Sequence, residues 1–268
     1  MQTTSPSTPR RRTRPQHWLI AVVMTLVTLT PQALAAGVTL QVYAASSLTE
    51  AFEDVARAFE AAHPGVAVQL TFAGSQALRL QIEHGARADV FASADERHMR
   101  ALETIGDVVS SVSFVRNDLV VIVPHDDPAG VTSFLDLPRA RSIVIGTESV
   151  PIGAATRAVL ERAGEVYGGA FRDAVLASVV SEESNARLVR AKVELGEADA
   201  AFVYRTDAAT GSGVRTIEIP AEANLSSAYL IGGVVRSPRA EVAERFIAFV
   251  LSTEGRALLA ARGFDTTP

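Results

Sequence analysis

The chain has no cysteine among its 268 residues. That excludes a disulfide framework, thiolate-ligated zinc, an iron–sulfur cluster, a cysteine nucleophile and a lipid-modified N-terminal cysteine. Lysine is almost missing too: of 25 basic residues, only Lys192 is not Arg. No Gly-Lys pair occurs, so the phosphate-cradling G-x-x-x-x-G-K-[ST] loop cannot form. Membrane-spanning apolar runs are also lacking. The run Trp18–Leu29 has 12 residues, too few to cross a hydrocarbon core of about 30 Å as a helix. Glycine (18) and proline (12) are at ordinary levels, which supports neither a collagen-like repeat nor a disordered chain.

What the N-terminus does contain is a targeting pattern. Arg10, Arg11, Arg12 and Arg14 precede the apolar run, Pro31 breaks it, and Ala33-Leu34-Ala35 is a small-x-small cleavage site. Residues 1–36 read as a signal peptide cut after Ala35 or Ala36, which predicts a periplasmic protein. The Arg triplet hints at twin-arginine export, but its flanking residues match that signal poorly. Cleavage removes four Arg and no acid, taking the net charge from −5 to −9. An acidic exported chain is a poor partner for nucleic acid, whose phosphates need a basic surface.

After residue 36, strands and helices alternate. Val38–Tyr43, Val66–Phe72, Asp89–Ser93, Leu119–Pro124, Ser142–Gly146, Ala200–Tyr204, Val214–Ile219 and Ala228–Val235 read as strands. Leu48, Phe52, Val55 and Phe59 recur at helical spacing. Further helices are predicted around Leu78 and Ile82, from an Asp95 N-cap to Gly106, at about 153–163 and 184–195, and over 238–251 and 254–261. A short Leu135-centred turn completes the set. Such alternation predicts an α/β fold, a parallel or mixed sheet flanked by helices.

Ligands of such sheets sit at the carboxyl ends of strands, where helix N-termini offer free N–H groups. Small and hydroxyl-bearing residues gather at those junctions: Ser46 and Ser47, Ser75, the T-E-S-V-P-I-G run 147–153, and S-E-E-S-N-A at 181–186. Each could serve an anion, and each also has a plain structural reading. Ser47-Leu48-Thr49-Glu50 matches a capping box, Ser75 and Ser184 can be helix caps, and Tyr204 can be an ordinary strand aromatic.

Catalytic constellations are scarce. His63, His84, His98 and His125 show no i, i+4 pairing, and no G-x-S-x-G elbow is present. His125-Asp126-Asp127 before Pro128 could touch a metal but reads better as a solvated turn. Gly211-Ser212-Gly213 reads as a loop.

As a set, several runs carry a family resemblance. V-Y-A-A-S-S-L-T-E-A-F (42–52) and L-T-F-A-G-S-Q-A-L-R-L-Q-I-E-H-G-A-R-A-D-V-F-A-S-A-D (70–95) resemble periplasmic molybdate-binding proteins of ABC transporters. L-V-V-I-V-P (119–124), V-P-I-G (150–153), G-E-A-D-A-A-F-V-Y-R-T-D-A (196–208) and S-T-E-G-R-A-L-L-A-A-R-G-F (252–264) continue the likeness over residues 38–264. The resemblance implies a two-lobed type II binding-protein fold with a mixed sheet in each lobe and the ligand in the interlobe cleft. One lobe is expected from 37–116 plus 234–268 and the other from 117–233, with crossing strands near Phe114–Asn117 and Ser227–Val235.

The function so implied is capture of molybdate, and of tungstate alongside it, for delivery to the membrane permease and ATPase of an ABC importer. By the same resemblance the protein is a monomer, has no catalytic activity and needs neither cofactor nor cation site, molybdenum entering only as the bound oxyanion. Carried over by motif, Ser47 and Ser75 donate hydroxyls, Ile152 and Ala186 donate backbone N–H, and Tyr204 donates its phenol. Two departures bear on cavity size, and so on the molybdate–tungstate preference: alanine is usual where Ile152 stands, and a larger aliphatic where Ala186 stands. The alternatives are a binding protein for another solute such as sulfate, ferric iron or an amino acid, or a secreted enzyme on a similar fold. Iron would need a Tyr/His/Asp cluster, an amino acid an Arg and Asp pair, and the enzyme a Cys or a Lys–carboxylate set. None of these is found at the junctions.

Overall fold

The computed structural model describes residues 1–3 and 37–267, so the targeting pattern read in the N-terminal sequence lies outside the described residues. The first sheet contains β1 (Val38–Ala45), β2 (Val66–Ala73), β3 (Val90–Ser93), the leading part of β4 (Val108–Pro124), and β9 (Ser226–Val234). Its order is β2-β1-β3-β9-β4. β1 runs parallel to β2 and β3, and β9 runs antiparallel to β3 and β4.

Helices cover both faces of this sheet because its strands are apolar on both. Phe52, Val55 and Phe59 on α1 (Thr49–Ala62) face Phe114 and, on α8 (Ala240–Leu251), Phe246 and Phe249. These rings meet edge to face with centroids 5.2–6.2 Å apart. On the other face, Leu78 and Ile82 of α2 (Ser75–Glu83) and Met99 and Leu102 of α3 (Glu96–Thr104) bury Phe91 and Leu230. Burial of each such side chain is worth about 1.5–3 kcal/mol relative to exposure.

The second sheet takes the end of β4 with β5 (Ile143–Gly146), β6 (Val179–Glu183), β7 (Ala200–Tyr204) and β8 (Val214–Glu218). β7 lies between β4 and β5, β6 forms an edge, and β8 pairs the opposite side of β4. Its helices are α4 (Pro151–Tyr167), α5 (Gly169–Ala177), α6 (Ala186–Glu194) and the short α7 (Arg205–Ala209). The last helix of the chain, α9 (Thr253–Ala261), returns to pack on α1 and α8. The mixed sheet flanked by helices agrees with the sequence expectation.

Some elements differ from that expectation. β4 has 17 residues, of which sequence marks only the buried end. Its leading part carries exposed polar residues and two bulges, which erase the strand pattern. α4 extends to Tyr167, and Gly168, at φ +99°, turns the chain into the unexpected α5. β6 was missed because it is an edge strand with Val180 61% exposed, so no apolar run marks it. The strand pairing also places residues 226–234 in the first sheet, whereas the sequence reading assigns 117–233 to the second lobe. β4 changes partner between Asp118, paired with Ser226, and Leu119, paired with Tyr204. The return crossing lies in the segment between Glu218 and Ser226.

Candidate functional site

Ser47, Ser75, Ile152, Ala186 and Tyr204, scattered over 158 positions, all line one cavity between the two sheets' helix ends. The remaining wall is Ala45, Ser46, Ala73, Gly74, Ala94, Val150 and Pro151, so no charged side chain lines it. The free space between its walls is about 10 Å³.

Each wall residue comes from the end of a strand. The chain leaves β1 into a 3-10 turn, Ser46–Leu48, before α1 begins at Thr49. It leaves β2 through Gly74 into α2, whose first residue is Ser75. Pro151 opens α4 without needing a donor, leaving Ile152 in the first turn, and Asn185 caps α6 so that Ala186 is its first residue. First-turn N–H groups have no partner inside their helix, so α2, α4 and α6 all present free donors here.

Close packing accounts for the small residues in these motifs. A Cβ on Gly74 would come 2.5 Å from the Ser184 carbonyl oxygen, across the cleft. A Cβ on Gly146 would stand 2.7 Å from the Gly153 nitrogen, and one on Gly153 would collide with the Gly146 and Thr147 carbonyls. The start of α4 can therefore sit against the end of β5 only if both residues are glycine.

The capping readings of the serines do not hold. Leu48 occupies the N-cap of α1, and the Ser47 hydroxyl instead meets the Tyr229 hydroxyl at 2.9 Å. Ser75 Oγ accepts from the Ala94 N–H at 3.0 Å. At α6 the cap is Asn185, whose Oδ1 accepts from Leu188 N, and not Ser184. An oxygen already accepting a hydrogen bond still has its own hydrogen to give. Ser75 is thereby a donor toward the cavity. Ser47 becomes one when Tyr229 donates to it, with Asn117 Nδ2 donating to Tyr229 in turn at 3.4 Å.

Tyr204 is 1% exposed and its hydroxyl has no hydrogen-bond partner, since the neighbouring Ser227 and Tyr229 hydroxyls do not reach bonding geometry with it. Burial, reinforced by the Asp95 and Asp207 carboxylates, pushes its pKa well up, so it is a neutral O–H donor. Its ring packs edge to face on Tyr229 at 5.6 Å. An unpaired buried hydroxyl costs about 1–3 kcal/mol, which an acceptor in the cavity would recover.

Sequence reading did not anticipate Tyr229, Asn117 or Asp207. Asn117 also donates to Thr206 Oγ1 at 2.8 Å, tying β4 to α7 beneath the site. Asp207 is 2% exposed; burial raises its pKa to about 7, against the pull of Arg190 and Arg187 and with the push of Glu50. Nothing local distinguishes Asn117 and Tyr229 in sequence, because their side-chain hydrogen-bond partners lie 89 to 182 positions away, and Asp207 is set apart only by its burial. Of the weaker sequence candidates, Asp127 pairs with Arg215 and accepts from Val131 N, as a turn residue does. Among the described residues no group of three or more His, Cys, Asp or Glu is placed to hold a metal ion.

Two lobes of mixed sheet, joined by the long strand β4 and the return segment after Glu218 and closing on a cavity lined by strand–helix junctions, define the chain as a solute-binding protein in class. Residues 40–265 match the bacterial extracellular solute-binding protein family, and the chain belongs to that family. It is 35% identical over 226 residues to the molybdate-binding protein ModA of Mycobacterium tuberculosis, covering 83% of each chain. It is 32% identical over 231 residues to YvgL of Bacillus subtilis, a putative ABC transporter substrate-binding lipoprotein, covering 85% of this chain and 86% of that one. Among solved structures, the substrate-binding domain of a putative molybdenum ABC transporter from Clostridium difficile superposes with a TM-score of 0.66 at 26% identity. It covers 87% of this chain and all of that one.

Proposed function

We propose that this protein captures molybdate outside the cytoplasm and passes it to the permease and ATPase of an ABC importer. The observation that carries the proposal is the donor-only cavity: three hydroxyls with hydrogens to give, helix-start N–H groups, and no carboxylate or cation in the wall. A tetrahedral dianion has acceptors only and is satisfied by such a wall. Protonated phosphate would leave its own O–H unpaired at a cost of about 1–3 kcal/mol. The local field of three helix starts can hold an anion even within an acidic chain. Molybdate rather than sulfate is supported by the ModA relative at 35% identity. Tungstate, with the same shape and charge, fits the same donors.

In this reading Ser47, Ser75 and Tyr204 give O–H, Ile152 and Ala186 give backbone N–H, and the bulk of Ile152 trims the cavity. The protein binds without catalysing, acts as a monomer, uses neither cofactor nor resident cation, and reaches the periplasm by its cleaved N-terminal segment. Calorimetric titration with molybdate, tungstate, sulfate and phosphate tests the proposal. Tight binding of the first two with weak or no binding of the others is expected. Binding of sulfate as tight as that of molybdate would replace the assignment with a general oxyanion carrier.

A further inference from the structure

Four side chains cross the cleft, and each donates a crossing hydrogen bond to a backbone carbonyl beside the anion-facing residues. From the first lobe, Gln76 Nε2 donates to Ser184 O at 2.8 Å. Arg97 Nη2 donates to Ser149 O at 2.8 Å and to Glu148 O at 3.2 Å, and His98 Nε2 donates to the same Ser149 O at 2.8 Å. From the second lobe, Arg187 Nε donates to Ser46 O at 3.1 Å while its guanidinium pairs with Glu50.

The placement is systematic. The Ser46 carbonyl belongs to the peptide unit that carries the Ser47 N–H. The Ser149 carbonyl belongs to the unit of Val150, which caps α4 just before Ile152, and the Ser184 carbonyl to that of Asn185, which caps α6 just before Ala186. Donation to these carbonyls fixes the loops in space. We infer that Arg97, His98, Gln76 and Arg187 are positioning residues that latch the lobes shut by gripping the donor loops, and so set the rate at which the oxyanion leaves. This rests on the oxyanion reading above. None of the four lines the cavity, so their effect is exerted through the loops they hold.

A latch and a simple electrostatic lure predict different kinetics. Loss of a latch speeds escape, whereas loss of attractive charge slows arrival. Arg97→Ala and Arg187→Ala are each expected to raise the molybdate dissociation rate roughly tenfold, about 1.4 kcal/mol. The association rate should stay within about twofold. Arg97→Lys, able to keep one carbonyl contact, should recover part of the loss. Release of radiolabelled molybdate into an unlabelled chase, with equilibrium titration, gives both rates. A loss confined to association would overturn the latch in favour of steering, and unchanged release in both alanine variants would overturn it outright.

A ligand-free measurement keeps this test apart from the functional reading. Because the chain has no cysteine, Ile105→Cys and Leu195→Cys, at positions 57% and 71% exposed in the two lobes, can be spin-labelled selectively. The distance between the labels should lengthen when Arg97 and Arg187 are both alanine. If the wild type binds no molybdate, the functional reading fails while these distances still decide the latch. Identical distances with and without the two arginines would refute it.

Discussion

Ser47 and Tyr229, 182 residues apart in sequence, meet hydroxyl to hydroxyl at 2.9 Å, in a pair buried beneath the cleft. The pair has a direction only if something beyond it accepts. With an anion in the cavity, hydrogens run from Asn117 to Tyr229, from Tyr229 to Ser47, and from Ser47 to the ligand. Tyr229→Phe removes the middle link and keeps the ring that packs on Tyr204 and Phe264. Molybdate affinity should fall roughly 3- to 10-fold, equivalent to one net hydrogen bond of about 0.5–1.5 kcal/mol. Affinity equal to wild type would show that Ser47 needs no orientation from behind.

The serines themselves provide a sharper case. Neither caps its helix, but Ser47→Ala strands the Tyr229 hydroxyl and Ser75→Ala the Ala94 N–H, so some loss of ligand-free stability is expected in both. Each should also lose a charge-assisted bond of about 1.5–3 kcal/mol to the ligand, roughly 10- to 150-fold in molybdate affinity. Titration of each variant, beside its ligand-free melting curve, makes affinity the deciding readout. Normal affinity with a depressed melt would return these residues to a structural role.

Tyr204→Phe deletes a hydroxyl that has no partner in the protein. The ligand-free protein should therefore melt at the same temperature or slightly higher, while molybdate affinity drops about as much as in the serine variants. A destabilised melt with intact affinity would mean that the hydroxyl serves the fold.

Asp207 should make stability fall with rising pH. Its carboxyl titrates near 3.8 when solvated and near 7 in the fold, where burial holds the proton on. Between those values the folded chain binds a proton that the unfolded chain has released, so stability declines through that window and the cost is complete above it. Asp207→Asn cannot ionise, and its advantage in melting temperature over wild type should grow between about pH 4 and pH 7 and level off above that. His98, whose pKa burial lowers from 6.5, acts in the opposite sense, but it is common to both proteins and cancels in the difference. An advantage that does not change with pH would place the charge of Asp207 in better company than its burial indicates.

The molybdate-binding reading rests on local runs that sequence displays directly. The strand–helix alternation, the N-cap at Asp95 and the small residues at the strand ends are all visible there, since each depends on neighbours within a few positions. So are the five cavity residues, through the motifs that contain them, which the fold brings around a single cavity.

Pairing over long distance was not visible. Nothing near Ser47 in sequence could reveal that Tyr229, and not its own helix, would take its hydroxyl, and the capping-box pattern pointed the other way. The grip of Arg97 on the 148–149 carbonyls likewise depends on how two lobes meet. Propensity, capping and hydrophobic period act locally, so most strands and helices can be read along the chain, though β6, α5 and the cap of α1 cannot. Which hydroxyl hydrogens remain free for a ligand follows from the folded arrangement alone, because a donor is free or spent according to partners that the chain reaches only after folding.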